Sequence, residues 1–145
     1  MRRLRTSRVT REVSNLRTHR TYRAIHRAVD RSRARADFRI THASIQSNHL
    51  HLLVEADDKR ALTSGMRAFA ISAAKRLNRD LRRSKGHVFA FRYHSTAITS
   101  PAQARNAISY IINNWRHHRC DRYSTLRTDP YSSAHAIADW RIAPH

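Results

Sequence analysis

A chain of 145 residues with 40% hydrophobic content suits one folded domain that buries its own core. Lys+Arg of 29 against Asp+Glu of 10 leave a formal charge of +19, an excess that repels itself unless a polyanion balances it. No apolar run approaches the roughly 20 residues needed to span a bilayer, and a single cysteine, Cys120, excludes an internal disulfide or a C-x-x-C zinc module. Most of the cations are arginines, whose planar fork matches phosphate, so nucleic acid is the expected partner and a membrane is not. The cysteine usage suits a reducing cytoplasm. Two glycines and three prolines mark no linker, so residues 1–145 are expected to form one domain, frayed over 1–7 and irregular over 121–145.

In chain order, residues 8–13 offer a poor first strand, supported only by Val9 and Val13. Over 18–35, Tyr22, Ile25, Ala28 and Val29 recur at helical spacing between arginines. Phe38-Arg39-Ile40-Thr41 alternates as a strand leading into Ile45, and a turn at 46–48 opens the next strand at His49. A second helix is predicted over 59–83, with Leu62, Met66, Phe69, Ala73, Leu77 and Leu81 on one stripe before Lys85-Gly86. Residues 88–99 are rich in aromatic and β-branched side chains and read as a strand. Ser100-Pro101-Ala102-Gln103 then opens a helix, with Ser100 as N-cap, Pro101 at the first helical position and Gln103 completing a capping box. The buried stripe of that helix is Ala104, Ala107, Ile108, Ile111 and Trp115. This order predicts an α+β fold, a ferredoxin-like β-α-β-β-α-β sheet with an added C-terminal helix. Two helices would cover one face of the sheet and leave the other to the histidines.

The segment Ser47-Asn48-His49-Leu50-His51-Leu52-Leu53-Val54-Glu55 sets two histidines one residue apart in a buried strand. Alternation sends both imidazoles to one face and Leu50, Leu52 and Val54 to the other. Paired imidazoles are half of a divalent-metal site, although eleven histidines in the chain make a chance pair an equal reading. Glu55 shares their face but lies roughly 13 Å beyond His51 along the strand, too far for a direct ligand. On the last helix Gln103, Ala107, Tyr110, Asn114 and His117 share a flank. Tyr110 is there a possible nucleophile, or a core tyrosine with its hydroxyl satisfied.

Three segments, in this order, resemble the HUH superfamily (histidine, bulky hydrophobic, histidine) of single-strand DNA nucleases. Ile45-Gln46-Ser47-Asn48-His49-Leu50-His51-Leu52 is similar to the metal-binding strand of the single-tyrosine transposases. Phe91-Arg92-Tyr93-His94-Ser95 matches a second segment, and Tyr110-Ile111-Ile112-Asn113-Asn114 matches the nucleophile helix of the REP-associated tyrosine transposases. The likeness runs from about residue 16 to about residue 140. It implies Tyr110 as the catalytic nucleophile and Asn114 as third metal ligand beside His49 and His51. An amide oxygen suits Mg²⁺ or Mn²⁺ better than softer ions; His117 is the rival third ligand. It further implies cleavage of single-stranded DNA at hairpin-forming palindromic repeats through a 5′-phosphotyrosine intermediate. The protein would be a nucleoid-associated monomer or homodimer, with the tyrosine acting in cis or in trans. A non-catalytic nucleic-acid-binding module on the same fold is the alternative. Tyr93 is assigned to packing and His94 to a structural role, and the cations Lys75, Arg76, Arg79, Arg82 and Arg83 form either a solvated helix face or phosphate contacts.

Overall fold

Alternation and helical spacing resolve into seven elements: β1 (Arg2–Val9), α1 (His19–Ser32), β2 (Phe38–Ile45), β3 (His49–Ala56), α2 (Lys59–Asp80), β4 (Phe89–Ile98) and α3 (Pro101–His117). The computed structural model describes residues 1–10, 13, 15–81, 88–117 and 129–132, with the backbone alone for 90–93 and 117. The strands form one antiparallel sheet in the order β2-β3-β1-β4, the ferredoxin-like arrangement, with α3 added after the last strand.

The first strand corrects the sequence reading. Residues 1–7 are not frayed and the strand is not 8–13; Arg2–Val9 sits at the centre of the sheet between β3 and β4. Arginines score poorly as strand formers, but pairing on both edges outweighs that preference. Arg2 and Arg8 are exposed, and Arg3 and Arg5 are half-buried. Val9 and Val13 are both buried, yet only Val9 lies in the strand, because the Val13 amide donates to the Thr10 carbonyl and turns the chain.

Helix ends follow their caps. Thr18 and Thr21 form a reciprocal capping box on α1, and Asp58 Oδ1 accepts from the Ala61 amide (2.7 Å) to start α2. Ser100 Oγ accepts from the Gln103 amide (3.2 Å) as expected. The Gln103 side chain, however, reaches one residue further back, to the Thr99 amide (2.7 Å). α2 stops at Asp80, short of the expected 83. The Lys85-Gly86 stop and the segments 118–128 and 133–145 of the tail lie outside the described residues.

α1 and α2 pack on the face made by Leu50, Leu52 and Val54, together with Ile25, Phe69 and Leu77. Burying each such side chain contributes about 1.5–3 kcal/mol. On the opposite face a smaller core joins Leu53 to Ala107 and Ile111 of α3, with Leu4 and Ile98 at its margin. This second core fixes α3 over the histidine face. α2 approaches β2 most closely at Gly65, where an added Cβ would fall inside the Phe38 ring. Both elements are held by their neighbours, so Gly65→Ala is expected to overpack the core by about 1–3 kcal/mol, read as a lower urea midpoint. Among the described residues no helix is long and apolar enough to cross a membrane.

Candidate active site

The period of β3 brings His49 and His51 onto the α3 side of the sheet, with ring centroids 4.8 Å apart and planes at 90°. α3, anchored by Ala107, Ile111 and Trp115, lays Tyr110 against them. The Tyr110 ring meets the His51 ring edge to face, 5.2 Å between centroids. Tyr110 is 43% exposed while His51 is 4% exposed, so the tyrosine bridges a buried imidazole and solvent. It is a core tyrosine in neither position nor burial.

Asn114 lies one helical turn beyond Tyr110 and is 1% exposed. Neither its Oδ1 nor its Nδ2 has a hydrogen-bond partner. A buried polar group left so costs about 1–3 kcal/mol, and such a cost is offset where a ligand takes the atom. Two imidazoles and an amide oxygen are a donor set able to hold a divalent ion, and the amide oxygen suits Mg²⁺ or Mn²⁺ better than softer ions. The set carries no charge of its own. Among the described residues no group of three or more His, Cys, Asp or Glu side chains stands ready for a metal, so Asn114 is what would complete this one. The side chain of His117, the rival ligand, lies outside the described residues, as does that of Tyr93.

Glu55 is engaged elsewhere. It pairs with Arg39 (3.0 Å) and Arg2 (2.8 Å), and the Arg39 hydrogen bond first, then the pull of Arg2, hold its carboxyl below the usual range. His94 is exposed and stands opposite Thr6 on β4, two strands and roughly 10 Å from His51. It flanks the site and is not part of the ring stack.

Three residues have contacts here that the sequence reading did not assign, two of them because β1 was misplaced. Thr6 stands opposite His51, and its Oγ1 is 2.9 Å from His51 Nδ1. Arg8 stands opposite His49 and is exposed, at an irregularity where β1 loses register with β4. Asn48 Oδ1 lies 2.7 Å from His49 Nδ1. Only the cross-strand register could have found the first two. The cations of α2 fall elsewhere: Lys75, Arg76 and Arg79 border a depression shared with Arg31, on the helical layer away from the histidines. Arg82 and Arg83 lie outside the described residues.

Comparison with known proteins points to one family and one fold. The model of the family described as "Transposase IS200 like" matches residues 7–114. Among solved structures, a REP-associated tyrosine transposase bound to a REP hairpin superposes with a TM-score of 0.72 at 18% identity, covering 99% of this chain and 82% of the other. A candidate transposase from Deinococcus radiodurans R1 gives 0.56 at 11% identity, covering 73% of this chain and 85% of the other. At these identities the two likenesses are of fold. No curated protein matches the chain.

Proposed function

The chain belongs to the IS200-like transposase family, and on that premise we propose that it is a metal-dependent, single-strand DNA nuclease and strand transferase acting through Tyr110. The reading rests above all on one observation. Asn114, buried with its amide unsatisfied, lies one helical turn from Tyr110, the solvent-facing end of a ring stack that includes both histidines.

His49, His51 and Asn114 would hold the ion. When bound, such an ion would supply the positive charge that polarises a scissile phosphate for in-line attack. The Tyr110 oxygen forms a bond to phosphorus and gives up its proton to solvent. The bond from phosphorus to the 3′ oxygen breaks, and that oxygen takes a proton to leave as a free 3′-hydroxyl. The downstream fragment stays on the tyrosine through its 5′ phosphate, as a phosphodiester, and a 3′-hydroxyl on a second DNA end reverses the step to join the strands. Arg8, beside His49, is placed to attract the substrate phosphate. Because the three donors are neutral, an ion held there would keep its full charge for an anionic phosphate. The solved transposase bound to a REP hairpin supports a hairpin as the substrate, and the cut would fall in a single strand beside it. The place of action would then be the cytoplasmic nucleoid.

The test is a denaturation-resistant protein–DNA adduct formed on hairpin substrates with Mg²⁺ or Mn²⁺. Wild-type protein that binds these hairpins and never forms the adduct would reduce the chain to a binding module. Excess chelator is expected to remove the adduct. His49→Ala or His51→Ala should lower its rate by on the order of 10²-fold or more. Hairpin affinity should stay within about threefold, because affinity comes from many phosphate contacts. A full rate of cleavage in chelator would defeat the metal assignment.

A further inference from the structure

The two histidines share a detail that neither alternation nor metal chemistry requires. Each has its Nδ1 within hydrogen-bond distance of a side-chain oxygen, His51 of Thr6 Oγ1 at 2.9 Å and His49 of Asn48 Oδ1 at 2.7 Å. The oxygens come from different places in the fold. Thr6 reaches His51 across the β1–β3 ladder, where the two residues are direct partners. Asn48 reaches its own neighbour from the turn before β3, a turn held by the Val9 amide on the Asn48 carbonyl (2.9 Å) and the Leu16 amide on the Ser47 carbonyl (2.8 Å).

A neutral imidazole carries one proton and one lone pair, and the group facing one nitrogen decides which is which. The amide oxygen of Asn48 only accepts, so it selects the proton on His49 Nδ1. A threonine oxygen can accept as well. With the proton on Nδ1, the lone pair of each ring lies on Nε2. We propose that Thr6 and Asn48 are positioning residues that fix both histidines as Nδ1–H tautomers, so that both rings offer Nε2 to one divalent cation. The inference rests on the assignment of His49 and His51 as metal ligands.

The position of Thr6 supports the idea. The residues of β1 opposite β3's histidine-face positions are Arg2, Leu4, Thr6 and Arg8, opposite Glu55, Leu53, His51 and His49 in turn. Arg2 is spent on Glu55 and Leu4 packs with Leu53. Thr6 alone among them carries a hydroxyl, and it stands against the more deeply buried imidazole. A valine there would fit the strand at least as well.

The decisive experiment compares wild type with Thr6→Val, Thr6→Ser, Asn48→Ala and Asn48→Asp. Two-bond ¹H–¹⁵N spectra at about pH 8, above the ordinary imidazole range, report which ring nitrogen holds the proton. Titration with MnCl₂, followed by electron paramagnetic resonance in the presence of uncleavable hairpin DNA, reports metal affinity. Wild type is expected to show Nδ1–H at both histidines. Thr6→Val should convert His51 to Nε2–H and weaken Mn²⁺ by roughly 10–100-fold, while Thr6→Ser keeps both properties. Asn48→Ala should act in the same way on His49, and Asn48→Asp should restore it. Nε2–H at His51 in wild type, or unchanged tautomer and affinity in folded Thr6→Val, would overturn the proposal. If wild type binds Mn²⁺ no better than His49→Ala, the metal assignment itself fails, whatever the tautomers show.

Discussion

Tyr110→Phe is expected to fold normally, bind hairpin DNA with near wild-type affinity and form no covalent adduct. The substitution keeps the ring that lies against His51 and removes the one atom able to bond to phosphorus. At 43% exposure the hydroxyl stands near solvent, so its loss should change stability by no more than about 0.5 kcal/mol. The chemical effect is far larger, on the order of 10⁴-fold or more, as for other enzymes stripped of their nucleophile. The measurement is adduct retained on a denaturing gel with labelled DNA, with thermal unfolding and binding recorded on the same samples. Tyr93→Phe is the control and should retain the adduct; a reversal of the two results would move the nucleophile to β4. The Tyr110 and His51 rings that meet belong to one chain, which supports action in cis. A mixture of Tyr110→Phe with His51→Ala protein should therefore stay inactive. Restored adduct in the mixture would instead place the tyrosine in trans.

The parts of this site that could be read from the sequence are those set by local periodicity. His49 and His51 share a face because a strand has period two, and Tyr110 and Asn114 share a flank because a helix has period 3.6. The α2 stripe through Leu62, Phe69 and Leu77 was legible for the same reason, and these residues are buried. β1 was not legible. Its arginines look like a frayed end, and what makes Arg2–Val9 a strand is pairing with Leu52, Leu53 and Val54, some fifty residues away. With β1 misplaced, Thr6 and Arg8 could not be set beside the histidines. The burial of Asn114 was equally hidden, since helical spacing gives its direction and the second core under α3 gives its depth. The tail was hidden most completely, because its one described turn is held by a residue on the far side of the sequence.

That turn carries the other large prediction. Asp129 is fully buried and receives both arms of Arg17, Nη2 on Oδ1 at 3.0 Å and Nη1 on Oδ2 at 3.2 Å. Arg17 Nη1 also donates to the Ile45 carbonyl (2.8 Å), and its guanidinium lies 4.8 Å from the centre of the Tyr131 ring. The Ile45 amide donates in turn to the Tyr131 carbonyl (2.9 Å), and Ser132 bridges to Ser44, the strand partner of His51. The clamp thus ties residues 129–132 to the end of β2, immediately before the turn that launches His49. Asp129→Ala leaves the Arg17 charge almost buried and unpaired, which should cost about 3–5 kcal/mol. For a domain of this size that is a fall in Tm of roughly 10 °C or more. Removing both charges, as Arg17→Met with Asp129→Ala, strands no ion and should cost less than the two single changes added together. Adduct formation by Asp129→Ala should be near normal per folded molecule in the cold and collapse at temperatures where wild type still works, because the clamp supports β2 and makes no contact with the reacting atoms. Equal stability of wild type and Asp129→Ala, by urea or heat, would show that the pair is idle. A loss of adduct in the cold, with the variant fully folded, would show instead that the tail turn enters the chemistry.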